Sequence, residues 1–383
     1  MHRPVVGIDL RNVAGSSRGY RRMMNLFYEL DRLGSDFEFE WITEPTPLTK
    51  AAGLSERTRI VSPRSRMRLM HRPILGHLRP LIWDRTEILH FPTADCWHVP
   101  TCKTVVTLHD LAPLHYPEWF FGNKEDEKRY RDHLDRIFKV ADRVVTVSEH
   151  SRQDLVDQFP TRESKLKVIY QGVGPEFHRE EWSDTRKDLF RNNIGAPHGF
   201  LLYCGGIDAR KNIEFLIEVF RTLTMDPAFR RNLTIVGDVD SSKRGMVDLR
   251  SLVKREGLEC RVLFPGWISD ELLRRYYNAA DLFLFPSRME GFGYAPLEAM
   301  ACGCPTICSN ATSIPETVGQ ASVLLPPDDP EGWARSIRDL LDDHEKREGL
   351  RMKGLDWVKR YDWKETARGF LGVYRETIDL GGQ

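Results

Sequence analysis

Short apolar runs alternate with longer segments of helical period along most of this chain. "PVVGIDL", "EILHF", "KTVVTL", "RVVTVS" and "KLKVIY" punctuate the first half, and "GFLLYC", "NLTIVG", "RVLF", "DLFLF" and "PTICS" the second. Each reads as a strand. Between them, "NIEFLIEVFRTL" places Ile213, Leu216, Ile217 and Phe220 at i, i+3, i+4 and i+7, one apolar stripe of a helix. Strand–helix alternation sustained over 383 residues predicts an α/β chain whose parallel sheets are covered on both faces.

The rhythm breaks once. Residues 171 to 199, "QGVGPEFHREEWSDTRKDLFRNNIGAPHG", are rich in glycine, proline and charge and hold no sustained strand. The chain is long enough for two domains, and the boundary is expected here, at residues 175 and 176. The last segment, residues 361 to 383, carries Trp363, Phe370 and Tyr374 at helical spacing and reads as an amphipathic helix. Two doubly wound domains facing each other would form a cleft. Ligands in such sheets bind beyond the carboxyl ends of the strands, so the informative residues are those just after strands.

Composition narrows the class. The chain is 41% hydrophobic and 29% charged, with 56 basic and 56 acidic residues, so no basic excess points to nucleic acid. The N-terminal "MHRPVVGIDL" runs straight into a strand pattern and lacks the apolar core of a signal peptide. No stretch has the length of apolar residues that spans a bilayer. Seven cysteines with no C-x-x-C pair argue against a disulfide framework or a zinc site, and Cys302 and Cys304 read as small buried hydrophobes. These features together predict a cytoplasmic protein.

Three loops carry the candidate chemistry of the second half. "GFLLYC" ends in "GGIDARKN", where Gly205 and Gly206 permit a sharp turn and close approach of a ligand. Arg210 and Lys211 then stand at a helix start, an arrangement suited to a diphosphate and otherwise unfavourable for cations. The strand "DLFLFPS" leads through the loop "RMEGFG" into the helix "PLEAMACG", opened by Pro296 and ended by Gly303. Glu298 is expected in its first turn, where the helix dipole alone would explain a carboxylate. Glu290 has no such reason to be there. Gly291 and Gly293 free the backbone around it, and paired hydroxyls of a sugar or ribose are good donors to carboxylates. Two acids this close in sequence poorly match the pair of a glycosidase, which straddles its bond from two sides.

Residues 290 to 305, "EGFGYAPLEAMACGCP", resemble the E-x(7)-E signature of the retaining GT-B glycosyltransferases that include many bacterial mannosyltransferases. "GGIDARKN" resembles that family's phosphate loop, and "SNATSIPETVGQASVLLPPDDPEGWA" the segment after the signature. The resemblance implies two Rossmann-like domains facing a central cleft, with the final helix returning to the first domain. It also implies roles for the matching residues. Glu290 would contact the donor sugar, and the backbone of Gly291, Phe292 and Gly293 would bind the same sugar or its phosphate. Glu298 would hold the ribose. Lys211, with Arg210 and the turn at Gly206, would neutralise the diphosphate, and backbone near Trp267 and Ile268 would meet the base. Many members carry arginine where this chain has Gly206, so Arg210 would supply that charge.

In the first half, "KTVVTLHDLAPLHYPEWF" puts His109 and Asp110 after a strand. The resemblance gives His109 a contact with the donor sugar; Asp110 could equally cap the turn. Ser17, Arg18 and Gly19 are the candidates for the glycine-rich loop that approaches the donor phosphates in the resembling family, though their pattern departs from its common form. The same "GSSRG" fits the G-x-S-x-G elbow of hydrolases, but "RNVA" separates it from the strand that such an elbow requires. Residues 57 to 83 hold seven arginines and no acid, interleaved with apolar residues. They fit a peripheral contact with anionic headgroups, a phosphorylated acceptor, or a solvated face.

The expected activity is therefore metal-independent hexosyl transfer from a nucleotide-diphosphate sugar, GDP-mannose first and a UDP-hexose second. The acceptor would be a glycan or lipid-linked glycan of cell-surface polysaccharide, the site cytoplasmic or peripheral on the inner membrane face. No cofactor beyond the nucleotide sugar is expected. "DVD" at 238 to 240 reads as a surface turn rather than a metal site. An inactive nucleotide-sugar-binding protein is the alternative. A nicotinamide oxidoreductase would need a G-x-G-x-x-G turn opening a helix, which the sequence lacks.

Overall fold

The computed structural model describes residues 2–11, 17–43, 54–61, 85–96, 101–239 and 246–380; for residues 17–21, 161 and 162 it describes the backbone alone. The chain divides into two units. One comprises residues 1–111, 123–172 and 361–383, the other residues 112–122 and 173–360. The change at Gly172 and Val173 lies a few residues before the expected boundary. Residues 112–122 group with the second unit, although no break in the sequence pattern marks them.

The first unit is built on a parallel sheet of β1 (Val5–Asp9), β2 (Glu38–Ile42), β3 (Thr58–Val61), β4 (Thr86–Phe91), β5 (Lys103–Leu108), β6 (Arg143–Thr146) and β7 (Leu166–Val168). Among the described residues the order is β3-β2-β1-β4-β5-β6-β7, with Val6 opposite Phe39 on one side and Ile88 on the other. The order reverses between β1 and β4, the switch point of a doubly wound sheet.

Helix α1 (Ser17–Leu33) follows β1, and the one-turn helices α2 (Ala112–His115) and α3 (Pro117–Phe120) follow β5. Next come α4 (Lys124–Val140) and α5 (Glu149–Gln158), capped by Asn123 and Ser148 through side-chain oxygens that accept backbone N–H bonds.

The second sheet holds β8 (Phe200–Cys204), β9 (Asn232–Val236), β10 (Val262–Gly266), β11 (Leu282–Phe285), β12 (Thr306–Ser309) and β13 (Val323–Leu325), all parallel. Its order is β10-β9-β8-β11-β12-β13, so the switch point lies between β8 and β11. "FLLYC" and "LFLF" are buried throughout, which is why they read as unbroken apolar runs.

Besides α2 and α3, this unit holds α6 (Asp184–Asn193), α7 (Ile213–Thr224), α8 (Leu249–Arg255), α9 (Asp270–Ala279), α10 (Tyr294–Ala301), α11 (Ile314–Val318), α12 (Pro330–Asp342) and α13 (His344–Trp357). The stripe foreseen on α7 is buried, Ile213, Leu216, Ile217 and Phe220 all being at most 1% exposed. The stretch that breaks the sequence rhythm contains α6, started by Ser183 accepting from the N–H of Arg186.

Helix α14 (Trp363–Asp379) lies along α1 and packs against β4 and β5 in the first unit. Its apolar face is Trp363, Phe370 and Tyr374, all buried. Tyr374 Oη lies 2.8 Å from His90 Nδ1, and His90 Nε2 lies 3.0 Å from Thr107 Oγ1. A fully buried histidine thus ties the last helix to two strands. Burial above all, and then the nearby His109, depress its pKa to about 3, so it is neutral.

Candidate functional site

The second unit brings its predicted residues to one edge of its sheet, the carboxyl end of the strands. After β8 the chain passes Gly205 and Gly206 into a 3-10 turn, Ala209–Lys211, and only then into α7. From the sequence, Arg210 and Lys211 are expected at the mouth of the helix itself. They sit instead in the turn before it, because Asn212 adopts a left-handed conformation, φ 58°, between turn and helix. Gly205 and Gly206 serve space rather than a left-handed turn. A Cβ on Gly205 would lie 2.8 Å from the Tyr203 hydroxyl oxygen, and one on Gly206 would lie 2.9 Å from Asp208 Oδ2. The Tyr203 hydroxyl itself donates to the carbonyl of Gly206 at 2.6 Å, which fixes the turn.

The neighbouring strand at the switch point is β11, and its loop carries Glu290. Lys211 Nζ donates to Glu290 Oε1 at 2.6 Å, and Arg210 Nη1 lies 3.6 Å from Oε2. Arg210 is also held by Asp208, Nε to Oδ1 2.8 Å. The Glu290 side chain is 10% exposed and that of Lys211 12%. Burial works to raise the pKa of Glu290. The charges of Lys211 and Arg210, with hydrogen bonds from Lys211 and Ser287, outweigh it and hold the carboxyl below the ordinary glutamate value. A carboxylate and two cations therefore meet where the two half-sheets diverge.

The loop around Glu290 is held by side chains. Asn212 Nδ2 donates to the carbonyls of Pro286, 3.2 Å, and Pro327, 2.7 Å, linking the loops after β8, β11 and β13. Ser309 donates to the Ser287 carbonyl, and Ser287 Oγ lies 3.2 Å from the carbonyls of both Arg210 and Met289, within reach of its one hydrogen. Thr312 Oγ1 accepts the Glu290 N–H at 3.0 Å, while Ser313 Oγ donates to the Glu290 carbonyl at 2.8 Å. Thr317 Oγ1 donates to the Phe292 carbonyl at 2.5 Å. These residues lie in or beside segments that the sequence marked only as motifs. The signal available was a concentration of Ser, Thr and Asn just after strands, the residues suited to bonding nearby backbone.

Beyond Glu290, Gly293 caps α10 at φ 101°, a left-handed value that glycine adopts without strain. Phe292 is buried against Tyr294, ring centroids 5.1 Å apart. Glu298 is not in the first turn as expected. Helix α10 begins at Tyr294, which makes Glu298 its fifth residue. It is 2% exposed, with Tyr277 Oη donating to Oε2 at 3.3 Å. Trp267 and Ile268 follow β10 on the same edge; the first is 54% exposed and the second buried. Cys302 and Cys304 are buried, their thiol pKa values raised chiefly by burial.

In the first unit His109 follows β5 directly, half-buried, its Nε2 3.2 Å from the Pro92 carbonyl after β4. Burial lowers its pKa, opposed in part by Asp110 and by the bond to Pro92, so the neutral ring is favoured. Gly19 falls in the opening turn of α1, whereas the surroundings of Ser17, Arg18 and Gly19 lie outside the described side chains. Of the arginine-rich stretch only residues 57–61 are described, and Asp240 of "DVD" also falls outside; Asp238 is exposed.

Comparison with known proteins shows the family. Residues 21–177 match the family described as Glycosyltransferase Family 4, and residues 184–357 that described as Glycosyl transferases group 1. The chain belongs to the GT-B glycosyltransferases. Among its relatives is the O-antigen chain mannosyltransferase B of Escherichia coli, 29% identical over 80% of this chain and 83% of the relative. The serotype-specific mannosyltransferase WbdA of E. coli is 30% identical over 69% of this chain, which spans only 32% of WbdA. The Anabaena protein Alr3699/HepE, solved in complex with UDP and glucose, superposes with a TM-score of 0.73 at 18% identity, over 98% of this chain and all of that one. The glycosyltransferase thus has the fold and family that its loops suggested, and the hydrolase and oxidoreductase readings fall away.

Proposed function

We propose that this glycosyltransferase is a retaining, metal-independent hexosyltransferase that moves mannose from GDP-mannose to a glycan or lipid-linked acceptor in cell-surface polysaccharide synthesis. The observation that carries the reading is the Lys211–Glu290 pair, 2.6 Å long and flanked by Arg210, at the switch point of the second sheet. The donor is chosen on the mannosyltransferase relatives, 29 and 30% identical to this chain.

Departure of the nucleoside diphosphate loads negative charge on its phosphates and positive character on the anomeric carbon. Lys211 and Arg210 stabilise the first, and their charge fills the place a divalent ion would otherwise take. Glu290 faces the second, while the amides of residues 291–293 bind hydroxyls of the sugar or its phosphate. In the free protein Lys211 and Glu290 satisfy each other. An arriving diphosphate draws Lys211 away and releases the carboxylate to the sugar hydroxyls. Glu298 takes the ribose, which requires that a side chain now 2% exposed be uncovered as the nucleotide enters. The backbone at Trp267 and Ile268 meets the base, Gly206 and Gly19 approach the phosphates, and neutral His109 contacts the sugar. The site is cytoplasmic, with residues 57–83 resting on anionic headgroups. No helix among the described residues is long and apolar enough to cross a membrane.

The test is a binding and turnover panel of GDP, UDP, ADP and dTDP with their sugars. GDP and GDP-mannose are expected to raise the melting temperature most, with anomeric configuration kept in the product. Preference for a UDP-hexose would replace the donor while keeping the site. Equal binding of GDP by Lys211→Ala and wild type would remove the phosphate assignment.

A further inference from the structure

Two residues other than glycine have positive φ among the described residues, Asn212 at 58° and Thr312 at 51°. Both lie beside the Lys211–Glu290 pair. Asparagine is tolerated in this conformation because its short polar side chain can bond locally. Threonine is not, since a β-branched side chain crowds the carbonyl there; a left-handed threonine is an outlier that the surroundings must enforce. What enforces it is visible. Its hydroxyl oxygen accepts the N–H of Glu290 at 3.0 Å, and the next residue, Ser313, donates to the carbonyl of the same glutamate at 2.8 Å. Left-handed geometry at position 312 lets two successive hydroxyl side chains bind both polar backbone groups of one residue. A glycine would accept that backbone without strain, but would leave the Glu290 amide without this acceptor.

We infer that Thr312 is a positioning residue for transfer: it holds the peptide plane of Glu290 so that the carboxylate points where the sugar and Lys211 meet, at the expense of strain in its own backbone. The inference rests on the proposed function and extends it to a residue that need not touch the donor. It makes activity fall on one substitution while stability stays nearly unchanged, which a purely structural hydroxyl would not do.

The test compares wild type, Thr312→Gly, Thr312→Ser and Lys211→Ala by melting without ligand, by calorimetric titration with GDP and by turnover of GDP-mannose. Thr312→Gly is expected to melt within about 2 °C of wild type, relieved strain offsetting the lost hydrogen bond to the Glu290 amide and the added unfolded-state freedom. Its kcat should fall at least tenfold with no weakening of GDP binding. Thr312→Ser, which keeps the oxygen, should retain kcat within about threefold. Full kcat in Thr312→Gly, or a melting temperature lowered by more than about 5 °C together with kcat, overturns the positioning role. So does a serine variant as slow as glycine. A wild type that turns over GDP-mannose beside an equally fast Thr312→Gly sinks the positioning role alone. A wild type that neither binds nor turns over any nucleotide sugar sinks the functional reading and this role with it.

Discussion

Replacing Glu290 by glutamine makes a prediction whose two halves have opposite sign. In the free protein Lys211 is held by Glu290 at 2.6 Å, and both side chains are only 10–12% exposed. An incoming diphosphate must break that bond and come to rest near a carboxylate of its own charge. An exposed ion pair contributes roughly 0–1 kcal/mol, and truncating one partner of a fully buried pair costs about 3–5 kcal/mol. This pair lies between those limits, and Arg210 at 3.6 Å from Oε2 keeps part of the attraction when Lys211 leaves. Releasing Lys211 from its competitor is therefore worth about 1.4 kcal/mol to an anionic ligand, or roughly tenfold in Kd.

Glu290→Gln should thus bind GDP about tenfold more tightly than wild type by calorimetric titration, while transfer from GDP-mannose falls by about two orders of magnitude. The variant should also lose roughly 2 kcal/mol of stability in urea, because two neighbouring cations are left without their carboxylate. Lys211→Ala is the control and should weaken GDP binding by about 1.5–3 kcal/mol. GDP affinity that is unchanged or weaker in Glu290→Gln would refute the reasoning: the diphosphate would then not be meeting the cations that the carboxylate holds.

Three further outcomes can be measured. His90 has its folded pKa depressed to about 3 against 6.5 for the free side chain, so its contribution to stability is complete above pH 6.5 and is lost as pH falls toward 3. The loss approaches about 1.4 kcal/mol per pH unit, near 2 kcal/mol by pH 5, and urea titrations at pH 7.5 and 5 should show a smaller difference in His90→Gln. Gly237→Ala should cost roughly 3 kcal/mol or more in the same assay, because φ there is 158° and the new Cβ would lie 2.2 Å from the Gly205 carbonyl oxygen. Replacing Arg64, Arg66 and Arg68 by serine should abolish sedimentation with anionic vesicles; undiminished sedimentation would remove the membrane role of residues 57–83.

How legible was the fold? Parallel strands covered on both faces show themselves as unbroken apolar runs, and "FLLYC" and "LFLF" announced their burial directly. The α7 stripe did the same at helical period. Helix α6 was concealed because none of its residues is buried: a surface helix has little apolar period to display, and its cap at Ser183 was the one local signal. The grouping of residues 112–122 with the second unit depends on contacts between residues far apart in sequence. No local pattern could carry it. The tie through His90 was hidden for the same reason, since its partner Tyr374 lies 284 positions away.

The site divides along a similar line. Residues whose chemistry is conspicuous for their position, such as Glu290 beside two glycines or Arg210 and Lys211 after a strand, could be picked out one by one. That Lys211 and Glu290 touch follows from β8 and β11 being neighbours at the switch point, and strand order is not written in any single loop. The shell that aims them was the least visible part. Asn212, Thr312 and Ser313 work by bonding backbone groups of other loops, so their residue types look like ordinary turn formers until the partners are known. A charged group reveals itself by the cost of placing it where it stands. A hydroxyl or an amide that fixes a peptide plane carries almost no such cost in the sequence, and in this glycosyltransferase it is recognised by a backbone angle, 51° at Thr312, that its residue type would otherwise avoid.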